Sequence, residues 1–287
     1  MTDPSLLERS PSEHAPSDEG FDFHGATFDL GDPGDREIVR FVLSQALYGE
    51  ATAIYCGRSL YSARSLAAAQ FYVRQARQEL RHLQLFAEIF RALELQPSRG
   101  HWVVRLLSTH NDYYPLKVLL EHAVGEGLVL DIFKDVLLQT LPDTDPRVAD
   151  IKKKLKVICR EEAEHVAWGD KETLEMLRLK PWLRWPYYGL VELQLSTLPW
   201  LVSRFRKGYA AHPVLSQLDA FLRYAREGIY AKGRRLGFVP ERRPGFALRW
   251  LAMGLGILLY LRSRVARSSS KLEKIYLQEL GFSHEAN

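Results

Sequence analysis

Cysteine is nearly missing from this chain: Cys56 and Cys159 are the only two in 287 residues. They fall in separate predicted helices and match no zinc or thiol-redox spacing. That argues against a disulfide framework and a cysteine-held metal, and it makes a reducing, cytoplasmic setting the expectation. Strand patterning is almost absent as well, so β architectures are not expected. One apolar run stands out, Phe246–Leu261, but Arg249 interrupts it. Its uncharged part, Trp250–Leu261, is 12 residues, short of the roughly 20 that span a bilayer. A secretory leader is not expected either. The opening MTDPSLLERSPSEHAPSDEG is polar and acidic, and residues 1–34 read as a disordered acidic tail.

What is present is enough apolar residue, 46%, to bury a core in one large domain or two small ones. The net charge of +4 hides an asymmetry. Residues 181–287 hold 17 Lys and Arg against 7 Asp and Glu, while residues 1–180 hold 22 against 28. The acidic part and the basic part face different partners or different jobs.

The periodicity predicts four long helices after the turn at Gly31-Asp32-Pro33-Gly34. The first runs from about Asp35 to Gly57, with Val39, Leu43, Ala46 and Ala53 in its apolar stripe. The second, about Ser65 to Leu93, carries Tyr72, Ala76, Leu83, Phe86 and Phe90 and stops before Pro97. The third starts at Pro115, with Leu119, Ala123, Leu130, Phe133 and Leu137 inward. The fourth ends near Leu179, with Ile151, Leu155, Ile158 and Gly169 inward.

Each stripe contains a carboxylate. Glu50 lies in the first and Glu126 in the third. The second contains Glu79-Leu80-Arg81-His82, and the fourth contains Glu162-Ala163-Glu164-His165. Three residues along a helix is a turn of roughly 300° and a rise of roughly 4.5 Å, so each Glu and His of these pairs leave one face together. A lone charge on a core face costs several kcal/mol unless it is paired or metal-bound. Six such groups in register call for a common explanation, and divalent iron or manganese supplies one. Glu121 competes with Glu126, but five residues on an α-helix is about 140° of rotation and takes Glu121 off the stripe. His122, one turn before Glu126, reads as a satisfied core histidine, a donor behind the ligands or a seventh ligand. Tyr48, Tyr55 and Tyr72 read as core tyrosines with hydrogen-bonded hydroxyls, or as radical or proton relays. Glu88, Glu94 and Glu164 read as solvated.

The order Glu, Glu-x-x-His, Glu, Glu-x-x-His resembles the ferritin-like di-iron carboxylate proteins over roughly residues 35–180. The resemblance implies an all-α fold: a ferritin-like antiparallel four-helix bundle over 35–180, with residues 181–287 as an α-helical extension. It implies Glu50, Glu79, His82, Glu126, Glu162 and His165 as ligands to two iron ions, or to a manganese–iron pair. Glu79 and Glu162 would bridge. Glu161 stands where relatives carry an acid that hydrogen-bonds a ligand histidine. An extra ligand histidine found in some oxygenases of this superfamily would fall at Ile158, so that variant is not expected.

The basic third mixes Trp182, Trp185, Tyr187, Tyr188 and Trp200 with Arg184, Arg204, Arg206 and Lys207. Arg242 and Arg243 precede the apolar run, and Arg262, Arg264 and Arg267 follow it. This pattern suits either peripheral contact with an anionic membrane or a helix buried against the bundle. A solvated basic stripe for DNA is not expected. The expected function is an O2-dependent oxidase or oxygenase, of the hydroxylase or desaturase type. It would use O2, an external electron donor and an organic, lipophilic substrate. Two alternatives stay open: an iron-handling or peroxide-scavenging protein, as in ferritins and rubrerythrins, and an RNA-modifying hydroxylase.

Overall fold

The computed structural model describes residues 20–53, 59–98, 113–201 and 211–265. Among them every regular element is helical, so the protein is all-α. Helix α1 spans Pro33–Ala53 and α2 spans Leu66–Ala92. Ser65 caps α2, its hydroxyl accepting the Ala68 amide at 3.0 Å, which satisfies one of the free amides of the first turn. A third rod, α3, runs from Tyr114 to Thr140 in alternating pieces. Tyr114–Lys117, Gly127–Asp131 and Leu138–Thr140 are α-helical, whereas Val118–Glu126 and Ile132–Leu137 are wound as π-helix. Helix α4 spans Val148–Leu179. Three more follow: α5 at Arg184–Leu201, α6 at Leu218–Leu236 and α7 at Phe246–Val265.

Side-chain pairings fix the directions. Glu50 meets His82 while Arg36 meets the end of α2 at Leu93, so α1 and α2 are antiparallel. Gln78 meets His165 and Arg81 meets Glu161, so α2 and α4 are antiparallel. Tyr114 meets Glu172 and His122 lies on Gly169, so α3 and α4 are antiparallel. The last contact requires glycine: a Cβ on Gly169 would sit 2.5 Å from the His122 Cβ. Leaving it out lets the π-wound part of α3 lie directly on α4.

One apolar core joins α1, α2, α3, α4 and α6 through residues such as Val39, Leu43, Phe86, Phe133, Leu155 and Phe221. Each fully buried side chain of this size contributes about 1.5–3 kcal/mol relative to exposure. Phe23, Phe28 and Leu30 also enter it, which corrects the expectation of a disordered tail up to residue 34. The acidic residues of that stretch outweighed its aromatics in the sequence reading, yet those aromatics are buried. Residues 1–19 lie outside the described residues, as do Tyr55, Cys56, Arg204, Arg206, Lys207 and Arg267. A second core ties the basic third to the rest, with Leu116, Leu119 and Leu177 packed among Leu183, Tyr187, Val191, Phe238 and Ala252. Helices α5 and α7 pack antiparallel and very closely. A Cβ on Gly189 would fall 1.9 Å from the Ala252 carbonyl oxygen. Beside this contact Glu192 accepts hydrogen bonds from Tyr230 and Arg249, both at 2.7 Å. Burial alone would raise the Glu192 carboxyl, but these donors outweigh it and hold it low.

Candidate metal centre

The four apolar stripes converge on one buried polar cluster. Glu50, Glu79, His82, Glu162 and His165 are each at most 5% exposed, and Glu126 is 9% exposed. Glu50 comes from α1, Glu79 and His82 from α2, Glu126 from α3, and Glu162 and His165 from α4. Their ligand atoms form two overlapping groups: Glu50, Glu79, His82 and Glu162, and then Glu79, Glu126 and His165.

The two imidazoles set the geometry. His82 Nδ1 lies 3.1 Å from Glu50 Oε2, 3.4 Å from Glu79 Oε2 and 3.2 Å from Glu162 Oε1. His165 Nδ1 lies 3.5 Å from Glu79 Oε1, 3.5 Å from Glu162 Oε2 and 4.0 Å from Glu126 Oε1. Glu79 and Glu162 therefore each turn one oxygen to one histidine and the other oxygen to the second. With ligand bonds of about 2.0–2.2 Å, neighbouring ligand atoms on one ion sit about 3 Å apart. The groups match that spread. His165 Nδ1 has no hydrogen-bond partner although it is buried among carboxylates, as expected of a lone pair kept for a cation. The residues fit a metal pair.

The outer ring nitrogens are anchored. His82 Nε2 donates to Glu161 Oε2 at 3.0 Å, and Arg81 donates to the other Glu161 oxygen at 2.7 Å. His165 Nε2 donates to Gln78 Oε1 at 2.9 Å. Both anchors hold the Nε2–H tautomer and aim Nδ1 inward. Gln78 was missed in the sequence, but a signal was there: it precedes Glu79 just as Glu161 precedes Glu162. Gln75 was missed too. Its amide donates to Glu126 Oε1 at 2.8 Å and to Glu79 Oε1 at 3.3 Å. It lies one turn before Glu79 on the same face.

The π-helix changes the reading of α3. A π-turn bonds i to i+5, so residues five apart stack nearly one above the other. Glu121 is not rotated away from Glu126, and the two form a third close group with His122. Glu121 is paired with Lys117 at 2.5 Å, and Lys117 is itself buried. His122 Nδ1 is 2.9 Å from both Glu126 oxygens. Phe71 stacks on Trp168 with centroids 3.8 Å apart, and both rings meet His122 edge-on. This aromatic wall covers the His122 and His165 side of the cluster. Tyr72 is buried beside His122, whereas Tyr48 is only half-buried. Glu88, Glu94 and Glu164 are exposed.

Burial and mutual repulsion shape the protonation of the metal-free cluster. Burial, and then the neighbouring Glu79 and Glu162, push the Glu50 carboxyl well up. Burial also raises Glu126, though His165 opposes the shift. Burial alone would raise Glu162 and lower both imidazoles. The close approach of imidazoles and carboxylates outweighs it, pulling Glu162 down to about 2, raising His165 to about 9 and raising His82 further. His122 is pushed down to about 3 by burial and is neutral.

No family model, no curated protein and no solved structure matches the chain.

Proposed function

We propose that this chain is a di-iron carboxylate oxidase or oxygenase, with α1–α4 as a ferritin-like four-helix bundle. One ion would be held by Glu50, Glu79, His82 and Glu162, and the other by Glu79, Glu126, Glu162 and His165. Glu79 and Glu162 would bridge. The observation that carries the reading is the crossed arrangement of those two carboxylates between the inward nitrogens of His82 and His165. Carboxylate and imidazole ligands suit iron, and equally a manganese–iron pair. When bound, such a pair supplies the reduction of O2 with electrons from an external donor.

The protein's own groups do the rest. Glu161 and Gln78 hold the imidazole tautomers, Gln75 steadies Glu79 and Glu126, and the Phe71–Trp168 wall covers the His122 and His165 side. A lipophilic substrate and peripheral membrane contact are supported by the face of α5 and α7. Among the described residues, eleven of the sixteen exposed large apolar side chains lie between Trp182 and Leu261. Trp182, Trp185, Phe246 and Trp250 are among them, and the exposed Arg242, Arg243 and Arg262 flank them. Rings with nearby cations fit a lipid headgroup layer. Phe246–Ser263 is long and apolar enough to cross a membrane by length and composition, but its Arg249 is paired with Glu192 on α5, which also accepts from Tyr230 on α6.

The test is a single turnover in which Fe(II)-loaded protein, free of excess reductant, is mixed with O2 and a medium-chain alkyl substrate in vesicles. Oxidised alkyl product with O2 uptake supports the reading. Peroxide turnover without any organic product would favour a scavenging protein.

A further inference from the structure

The outer nitrogens of both candidate ligand histidines point to the same strip of surface. His165 reaches it through Gln78 in one hydrogen bond. His82 reaches it through Glu161 and then Arg81, whose side chain is 51% exposed. The strip is a shallow depression on α2 walled by Arg74, Arg77, Gln78 and Arg81. These residues follow i, i+3, i+4, i+7 spacing and so form one face of the helix. Beside them Val73 and Leu80 are 58% and 51% exposed. Arginine is enriched at protein-binding surfaces, and the exposed Val73 and Leu80 add apolar area beside it. Gln78, Glu161 and the two imidazoles stand between this strip and the carboxylates of the cluster. An electron can pass through them, along two short bonded routes.

We propose that this arginine face of α2 docks an acidic electron-transfer protein of the [2Fe–2S] ferredoxin type. The proposal rests on the di-iron reading above. Each encounter would oxidise one reduced ferredoxin cluster and reduce one ferric ion of the pair to ferrous. Two encounters supply the two electrons that, with two protons and one O2, convert a substrate C–H to C–OH and release one water. Electron-transfer encounters are small and driven by charge, so three clustered cations suffice to steer an acidic partner.

The test uses the full chain loaded with iron, an acidic [2Fe–2S] ferredoxin as probe, and Arg74→Gln/Arg77→Gln as the variant. These two positions leave the Arg81–Glu161 pair intact. At low salt the parent should bind the probe, and the variant should bind about 10–100-fold more weakly, with a matching fall in the rate of iron reduction. Raising the salt should weaken the parent toward the variant. Arg74→Lys/Arg77→Lys should retain most binding, and Arg223→Gln/Arg234→Gln on α6 should match the parent. Reduction by dithionite should be equal in all of these proteins. If iron is bound and dithionite reduces it, yet parent and variant take up ferredoxin alike or not at all, the docking face is wrong and the metal reading stands. If the pair instead governs binding of RNA and not of ferredoxin, the proposal is also overturned. Absence of iron from the parent would refute the metal reading itself.

Discussion

Loading the site with divalent metal should release protons, and the geometry sets how many. Four carboxylates and two neutral imidazoles carry four negative charges, which two divalent ions balance. Without metal the same buried cluster must reach neutrality with protons, because an uncompensated buried charge costs several kcal/mol. The available holders are the two imidazoles, raised by their carboxylate neighbours, and the Glu50 and Glu126 carboxyls, raised by burial. Glu161 lies outside this count because Arg81 balances it. Two ions therefore displace about four protons near neutral pH, or about two per ion. Apparent affinity should then rise roughly 100-fold per ion for each unit of pH. Anaerobic titration of metal-free protein with Fe(II) in weak buffer containing a pH indicator counts the protons directly. A release well below one proton per ion would show that the ligands are already deprotonated and that protons do not neutralise the metal-free cluster.

The pH dependence of the metal-free protein follows from the same groups. His165 is raised from 6.5 to about 9, so its stabilising contribution is complete below pH 6.5 and is lost as pH rises through 9. Glu162 is lowered from 4.5 to about 2, so its contribution is present above pH 4.5 and is lost toward pH 2. Melting temperatures of metal-free protein should fall on both sides of that window, and the alkaline fall should vanish on metal loading. Glu161→Ala and Gln78→Ala should each weaken metal binding about 10–100-fold without emptying the site, the first acting on His82 and the second on His165; unchanged affinity in both would make the anchors incidental. Arg242→Gln/Arg243→Gln/Arg262→Gln should reduce co-sedimentation with anionic vesicles, each arginine contributing about 1 kcal/mol near such a surface. Equal sedimentation of parent and variant would make the α5–α7 face an ordinary protein contact.

The helices were legible because their apolar stripes are long and regular, and Ser65 and Pro115 mark two of the starts. Glu50, Glu79, His82, Glu162 and His165 were legible because a charged residue in such a stripe stands out. The neighbourhood of Glu126 was not. Predicting that Glu121 turns away assumes α-helical pitch, and the π-winding of Val118–Glu126 removes that premise. No feature of VLLEHAVGE announces a π-turn, nor that the wound segment lies against α4 at Gly169. Gln75 and Gln78 were overlooked because an amide in a stripe is a weaker anomaly than a charge. The burial of Phe23 and Phe28 was hidden by the acidic residues around them, since composition averages over a segment whose aromatics alone face inward.

Two divalent ions should bind among the four helices. Metal content of anaerobically Fe(II)-loaded protein after gel filtration tests this most directly, with Glu79→Ala and Glu162→Ala measured in parallel. Two iron ions per chain are expected in the parent, with loss of most metal in either variant. Fewer than one ion per parent chain, or full occupancy in both variants, would contradict this.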